Sequence, residues 1–277
     1  MNHVLQCIDK ALAGLYDAAE LESVKKALCL ELLGISPVSY YTKELLAPDA
    51  GRDSMLDSAL CRLAAGEPLQ YVMGTAPFCG LMFKVDGRVL IPRPETAELV
   101  DWVSSDAHGS GSLLDIGTGS GCIAVTLAHR LPCWRVQGWD VSDGALEVAR
   151  ENAAANGTDV EFRKVDILSA PAVERCFDVI VSNPPYVMEQ ERQQMENTVL
   201  GFEPHLALFV PDSDPLIFYR AIAEFGHGAL KKDGHLYFEI NPLKVEAMQE
   251  MLLDAGYHDI EVRNDIFGKP RMLKAML

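Results

Sequence analysis

The chain is 277 residues long, 49% apolar and 23% charged, the composition of an ordinary globular protein with material for two domains. Its formal net charge of −16 argues against generic nucleic-acid binding, which needs Lys and Arg to displace counterions from phosphates, and an anionic membrane surface would repel it. A basic partner would instead be drawn to it.

Seven cysteines (Cys7, Cys29, Cys61, Cys79, Cys122, Cys133 and Cys176) are scattered, odd in number and form no C-x-x-C pair, and the histidines make no H-E-x-x-H. Neither a disulfide framework nor a metal site is expected, and reduced thiols suit the cytoplasm. The opening segment MNHVLQCIDKALAGLYDAAE carries charges through its apolar positions, unlike a signal peptide, and no apolar run is long enough to span a membrane.

Residues 1–75 read as a small helical domain. Leu5, Ile8, Leu12 and Leu15 recur at helical spacing; Leu21, Val24, Leu28 and Leu32 repeat the pattern up to Gly34, a candidate left-handed cap. A third helix is expected from Asp53 to Ala65, with Met55, Leu56, Leu60 and Leu63, ending at Gly66. In residues 76–92, two short apolar runs flank Asp86-Gly87, a dipeptide that favours a type I′ turn, so a β-hairpin linking two domains is expected. From residue 93 to 277 strands and helices alternate. The strand-like runs are Ser112–Ile116, Arg135–Asp140, Glu161–Val165, Phe177–Ser182, His235–Ile240, His258–Val262 and Arg271–Met276. Such alternation implies an α/β domain with a mostly parallel sheet. The last two runs are joined by Asn264–Pro270, too short for a helical crossover, and should be antiparallel neighbours.

Leu113-Leu114-Asp115-Ile116-Gly117-Thr118-Gly119-Ser120-Gly121 is a strand running into a glycine loop and then a helix. Glycine permits a tight turn and close backbone approach to a ligand. A dinucleotide fingerprint would need Gly or Ala at position 122, which is Cys122; the pattern is D-x-G-x-G-x-G, which favours S-adenosylmethionine over NAD. Asp140, ending the next strand, can accept hydrogen bonds from ribose hydroxyls of either cofactor. Asp166 closes a third run, placed for an adenine amino group, with Ile167 packing on the ring. The competing readings are a plain strand-to-helix turn for the glycines and an ordinary loop Asp for Asp166.

The buried-type strand Phe177–Ser182 ends in Asn183-Pro184-Pro185-Tyr186. Two prolines end the strand ladder and fix φ, and Pro185 drives Pro184 toward an extended conformation, giving a stiff loop. An amide or ring amino nitrogen is a poor nucleophile carrying two N–H donors. The Asn183 side-chain oxygen and the Pro184 carbonyl could accept both and strengthen as charge develops on the nitrogen. Tyr186 offers a flat face to a planar group. Alone, the tetrapeptide could be no more than a rigid turn; one strand after a nucleoside-type loop, it reads as a methyl-transfer site.

These residues resemble the HemK/PrmC family of protein-glutamine methyltransferases. The likeness runs through Gly66-Glu67-Pro68-Leu69-Gln70-Tyr71, Leu90-Ile91-Pro92-Arg93-Pro94-Glu95-Thr96, the glycine loop, Asn183-Pro184-Pro185-Tyr186 and Phe202-Glu203-Pro204. It implies a class I methyltransferase fold, a Rossmann-like seven-stranded sheet with its last strand antiparallel, behind a helical N-terminal domain. It implies methyl transfer from S-adenosylmethionine to the N5 amide of the Gly-Gly-Gln glutamine in class I peptide chain release factors. Cofactor contacts then fall to Gly117, Thr118, Gly119, Ser120, Gly121, Asp140 and Asn183, with Asp166 and Ile167 at the adenine. The glutamine falls to Asn183, Pro184, Pro185 and Tyr186, and the N-terminal helices help grip the release factor. A monomer with no metal, no nucleic-acid partner and no membrane association is expected. Arg93 is expected either to brace the cofactor lid or to make a purely structural salt bridge, and Glu203 either to line the glutamine pocket or to cap a helix. The alternatives are glutamine methylation in a ribosomal protein, amino methylation of nucleic acid, and nucleotide binding without catalysis.

Overall fold

The computed structural model describes residues 2–43, 49–195 and 197–277. The chain divides into two compact units, Met1–Gly74 with Glu196–Phe202, and Thr75–Met195 with Glu203–Leu277. From sequence alone, residues 196–202 fall within the second domain.

The first unit contains α1 (Asn2–Ala11), α2 (Ala18–Lys26), α3 (Pro37–Thr42), α4 (Ala50–Ala64) and α5 (Leu69–Met73). Three of the starts are capped by side chains. The Asp17 carboxylate accepts from the Ala19 and Glu20 amides at α2, Ser36 caps α3 ahead of Pro37, and Asp49 caps α4. Beyond Lys26 the chain continues as a π-helical stretch, Ala27–Leu32, and turns at Gly34 with φ +61°. Ile8, Leu12, Val24, Leu28, Leu60 and Leu63 form the core. Two residues assigned to apolar faces by spacing are instead exposed, Leu15 at 53% and Met55 at 49%. Leu15 lies past the end of α1, and Met55 stands off the Leu56–Leu60–Leu63 stripe. Periodicity missed α3 and α5 because neither completes two turns. Arg62 joins α4 to α5, donating to both Glu67 carboxylate oxygens at 2.7 and 2.6 Å and to the Tyr71 carbonyl at 2.9 Å.

In the second unit β1 (Thr75–Phe78) and β2 (Leu81–Lys84) form a hairpin. Its turn is Cys79-Gly80, not Asp86-Gly87. Both turn residues have positive φ, +49° and +80°, as a type I′ turn demands. Asp86 is taken up by Arg88 instead, accepting from its backbone amide at 3.0 Å and its guanidinium at 2.8 and 2.7 Å, so no second strand follows.

The helix α6 (Pro94–Asp106) leads into β3 (Ser112–Ile116), α7 (Cys122–Arg130), β4 (Arg135–Asp140), α8 (Asp143–Ala155), β5 (Val160–Lys164) and β6 (Phe177–Ser182). A two-residue pair, β7 (Val187–Met188) and β8 (Phe209–Val210), flanks α9 (Asn197–Phe202) of the first unit. Then come α10 (Ile217–Ala229), β9 (Leu230–Glu239), α11 (Val245–Asp254), β10 (His258–Asn264) and β11 (Pro270–Met276). The main sheet has seven strands in the order β10-β11-β9-β6-β3-β4-β5, with β11 antiparallel to both neighbours. Alternate side chains feed two cores. Leu114, Ile116, Ile180, Leu236 and Phe238 pack under α10 and α11. Leu113, Val136, Val179, Val181 and Tyr237 pack under α6 and α7. The chain starts at β3, moves out to β4 and β5, and returns to β6 on the other side of β3. The crevice above that reversal is where open α/β sheets bind ligands.

Gly138 in β4 shows how tightly the glycine loop packs on the sheet. A Cβ there would lie 2.7 Å from Phe162 and 2.9 Å from the Thr118 hydroxyl. Gly138→Ala is therefore expected to displace the glycine loop and weaken cofactor binding about tenfold, roughly 1.4 kcal/mol. Calorimetric titration with S-adenosylhomocysteine measures this, with far-UV circular dichroism reporting retention of the fold.

Candidate active site

Three of the loop glycines occupy left-handed backbone conformations: Gly117 at φ +73°, Gly119 at +54° and Gly121 at +80°. The D-x-G-x-G-x-G spacing thus answers a conformational demand at each glycine. The Gly117 and Thr118 amides donate to the Trp139 carbonyl at 2.8 and 2.9 Å, tying the loop to β4. Asp115, fully buried, accepts from the Thr118 hydroxyl at 2.6 Å and the Ala124 amide at 3.2 Å. Burial pushes its carboxyl up to about 7, against the pull of those two donors. Asp140 at the end of β4 accepts from the Gly119 amide and the Ser142 amide, both at 2.9 Å. Its carboxyl is also raised, again chiefly by burial, with those backbone donors opposing.

A cleft with about 860 Å³ of open space lies over the strand ends. Of the residues singled out from sequence, Gly117, Gly119, Asp140, Asp166, Ile167, Asn183, Pro184 and Pro185 line it. Val141, Val165 and Ile167 supply an apolar slot beside Asp140 and Asp166. Thr118, Ser120, Gly121 and Tyr186 are not in its lining. Thr118 and Ser120 are buried under the loop, at 4% and 2% exposure, and Gly121 starts α7 with its Cα face against Ala149. They shape the loop rather than face the opening.

Asn183 follows β6, and the Ser182 hydroxyl donates to the Ile116 carbonyl at 2.6 Å, linking the two loops at their roots. The Asn183 side-chain amide donates to the Thr96 hydroxyl oxygen at 3.2 Å. Pro184 is buried. The Tyr186 hydroxyl donates to Glu239 at 3.0 Å, and its carbonyl accepts from the Asn241 side chain at 3.2 Å. Burial and the neighbouring Glu239 charge raise the Tyr186 hydroxyl far above its ordinary value, so it stays protonated.

Arg93 and Glu203, whose roles sequence leaves open, pair with each other. The Glu203 carboxylate, 1% exposed, accepts from the Arg93 guanidinium at 2.5 Å and from the Ile91 amide at 3.2 Å. That brace joins two stretches of the cleft wall, Arg88–Leu90 and Pro204–Ala207. Glu203 caps no helix. Sequence reasoning also missed Phe218 and Ile222, which reach the cleft from α10. Both sit on an apolar helical stripe indistinguishable from core packing in one dimension. Among the described residues, no group of three or more His, Cys, Asp or Glu could hold a metal ion, and no helix is long and apolar enough to cross a membrane.

The family model of the methyltransferase small domain matches residues 96–201. A release factor glutamine methyltransferase from Bacteroides thetaiotaomicron is 45% identical over 99% of this chain and 99% of its own length. Another from Flavobacterium psychrophilum is 40% identical over 96% of this chain and 95% of its own. Among solved structures, a methyltransferase from Pyrococcus furiosus aligns with a TM-score of 0.55 at 18% identity, covering 82% of this chain and 98% of that one, a likeness of fold. Identity at this level along the whole length shows that the chain belongs to the family of release factor glutamine methyltransferases.

Proposed function

We infer that the protein transfers a methyl group from S-adenosylmethionine to the N5 side-chain amide of the Gly-Gly-Gln glutamine in class I release factors, acting in the cytoplasm. The observation that carries this reading is one shared wall. Gly117, Gly119 and Asp140 line the same cleft as Asn183 and Pro184, so a nucleoside site and an amide-binding pair adjoin.

The residues present fit the cofactor. Two left-handed glycines leave the floor of the cleft without side chains, Asp140 is held by backbone donors with acceptor capacity to spare for ribose hydroxyls, and the Val141–Val165–Ile167 slot suits a flat ring. When bound, S-adenosylmethionine supplies a methyl already activated by its sulfonium. The chain supplies position. Asn183 Oδ1 and the Pro184 carbonyl accept the two hydrogens of the substrate amide and orient its nitrogen. Both bonds strengthen as positive charge develops there. No base is required at the acceptors, because the cationic methylated amide is a strong acid and releases its proton to water. Holding the reacting groups in contact supplies much of the barrier lowering. The net charge of −16 favours a basic protein partner over a polyanion.

The deciding experiment incubates the purified enzyme with labelled S-adenosylmethionine and either a class I release factor, a ribosomal protein or duplex DNA. Label is expected at the release-factor glutamine; label on DNA or the ribosomal protein and none on the release factor overturns the reading. Asn183→Ala is expected to lower kcat by at least about a hundredfold, the scale of losing an acceptor tuned to the transition state. Cofactor affinity should stay within a few-fold, because the glycine loop and Asp140 remain. The Asp140 carboxyl, raised by burial, takes up its proton at a higher pH than an exposed Asp. Acidification should therefore weaken cofactor binding with a midpoint above the usual Asp value of about 3.9. In Asp140→Asn, titration calorimetry across pH should show weak binding throughout and no such limb.

A further inference from the structure

Behind Asn183 lies a chain of hydrogen bonds with a fixed direction. The Glu239 carboxylate at the end of β9 is 2% exposed, and both of its oxygens are engaged. Oε2 accepts from the Thr96 hydroxyl at 2.6 Å, and Oε1 accepts from the Tyr186 hydroxyl at 3.0 Å. The first distance is that of a charge-assisted O–H···O⁻ bond. Thr96, on α6, is equally buried at 2%. A hydroxyl has one proton, and Thr96 commits it to Glu239. Toward Asn183 the Thr96 oxygen can therefore only accept. The group it faces, 3.2 Å away, must be the Asn183 NH₂ and not its carbonyl oxygen. The amide cannot flip without setting two acceptors against each other in a buried place, which costs the hydrogen bond and leaves both groups unsatisfied. Asn183 Oδ1, with no other bond among the described residues, is left for the cleft.

We propose that Glu239 and Thr96 are positioning residues that set the rotamer and flip of Asn183, so that its side chain presents an acceptor, and never a donor, to the substrate amide. The proposal rests on the methyl-transfer reading above. The same carboxylate fixes Tyr186, so one buried group orders both ends of the Asn183–Tyr186 loop. Arg271 on β11 closes the network, donating to the Tyr186 hydroxyl and to Asp265, each at 3.4 Å. Its charge helps to keep Glu239 ionised against burial and the nearby Glu95, which push the Glu239 carboxyl up. A neutral Glu239 could donate to Thr96, which would free the Thr96 proton for Asn183 and release the flip.

Thr96→Val removes the acceptor while keeping the side-chain shape. It is expected to lower kcat about a hundredfold, the scale of a slightly misplaced catalytic contact, with KM and cofactor affinity within a few-fold of wild type. Thr96→Ser keeps the hydroxyl and should restore most of kcat. Glu239→Gln should reduce kcat as well, since an amide can donate where the carboxylate only accepts. Side-chain NMR reads the network without any substrate. The Asn183 Nδ2H₂ resonances, assigned by their loss in Asn183→Ala, should exchange slowly in the wild type and Thr96→Ser and faster in Thr96→Val. If Thr96→Val keeps wild-type kcat and wild-type exchange, the proposal is overturned. A Thr96→Ser enzyme as impaired as Thr96→Val also overturns it, because a purely structural methyl contact would then explain both. Failure of wild-type enzyme to methylate a release factor would count against the substrate reading alone, with the resonances still testing the network.

Discussion

The register of one parallel strand pair governs this molecule. β3 and β6 are aligned with Ile116 opposite Ser182, so the glycine loop and the Asn183 loop leave the sheet side by side. The Ser182 hydroxyl bonded to the Ile116 carbonyl locks that alignment at its last rung. A slip of one residue would turn Asn183 to the opposite face and send the side chains of β6 into the wrong one of the two cores. Because β3 is buried at all five positions, such a slip is opposed by the two cores that the sheet separates.

Around that seam, buried carboxylates do most of the ordering. Asp115 ties the glycine loop to the start of α7, Asp140 ties it to the start of α8, Glu203 braces the cleft wall, and Glu239 sets the Asn183 loop. Each is costly to bury, and each is met by donors, although Asp115 Oδ1 has no partner among the described residues. A surplus of acid over base is thus compatible with a well-ordered site. Much of the catalytic region's precision comes from acceptors meeting backbone amides and hydroxyls rather than from surface ion pairs, which contribute little.

The motifs carried by the family resemblance acquire distinct physical meanings. Pro94 starts α6 at its first position, and Thr96 of the same P-R-P-E-T segment reaches Glu239, 143 residues later. Arg93 of that segment pairs with Glu203 of F-E-P, 110 residues away. Segments that look like separate markers in one dimension are halves of the same contacts. Tyr186 is the clearest change of role. Sequence offered it as a flat face for substrate, whereas its hydroxyl is committed to the buried network and its ring is absent from the cleft lining.

What the sequence determined by itself were the features with local causes. Short strand-like runs marked the seven strands of the main sheet, although β9 begins earlier and β10 ends later than expected. The short link before the last strand dictated its antiparallel direction, and the glycines marked a tight turn, which three left-handed positions make. The place of Asn183 and Pro184 at the cleft was legible because two prolines end the strand at the carboxyl edge of the sheet. Only the tertiary structure decided the true hairpin turn, where Arg88 captures Asp86 and leaves Cys79-Gly80 to reverse the chain. It alone decided that 196–202 joins the helical unit, that Phe218 and Ile222 open onto the cleft, and that Glu239 stands behind Asn183. A hydrogen-bond partner more than a hundred residues away leaves no trace in local pattern, because packing brings the two together and periodicity records only which face is buried.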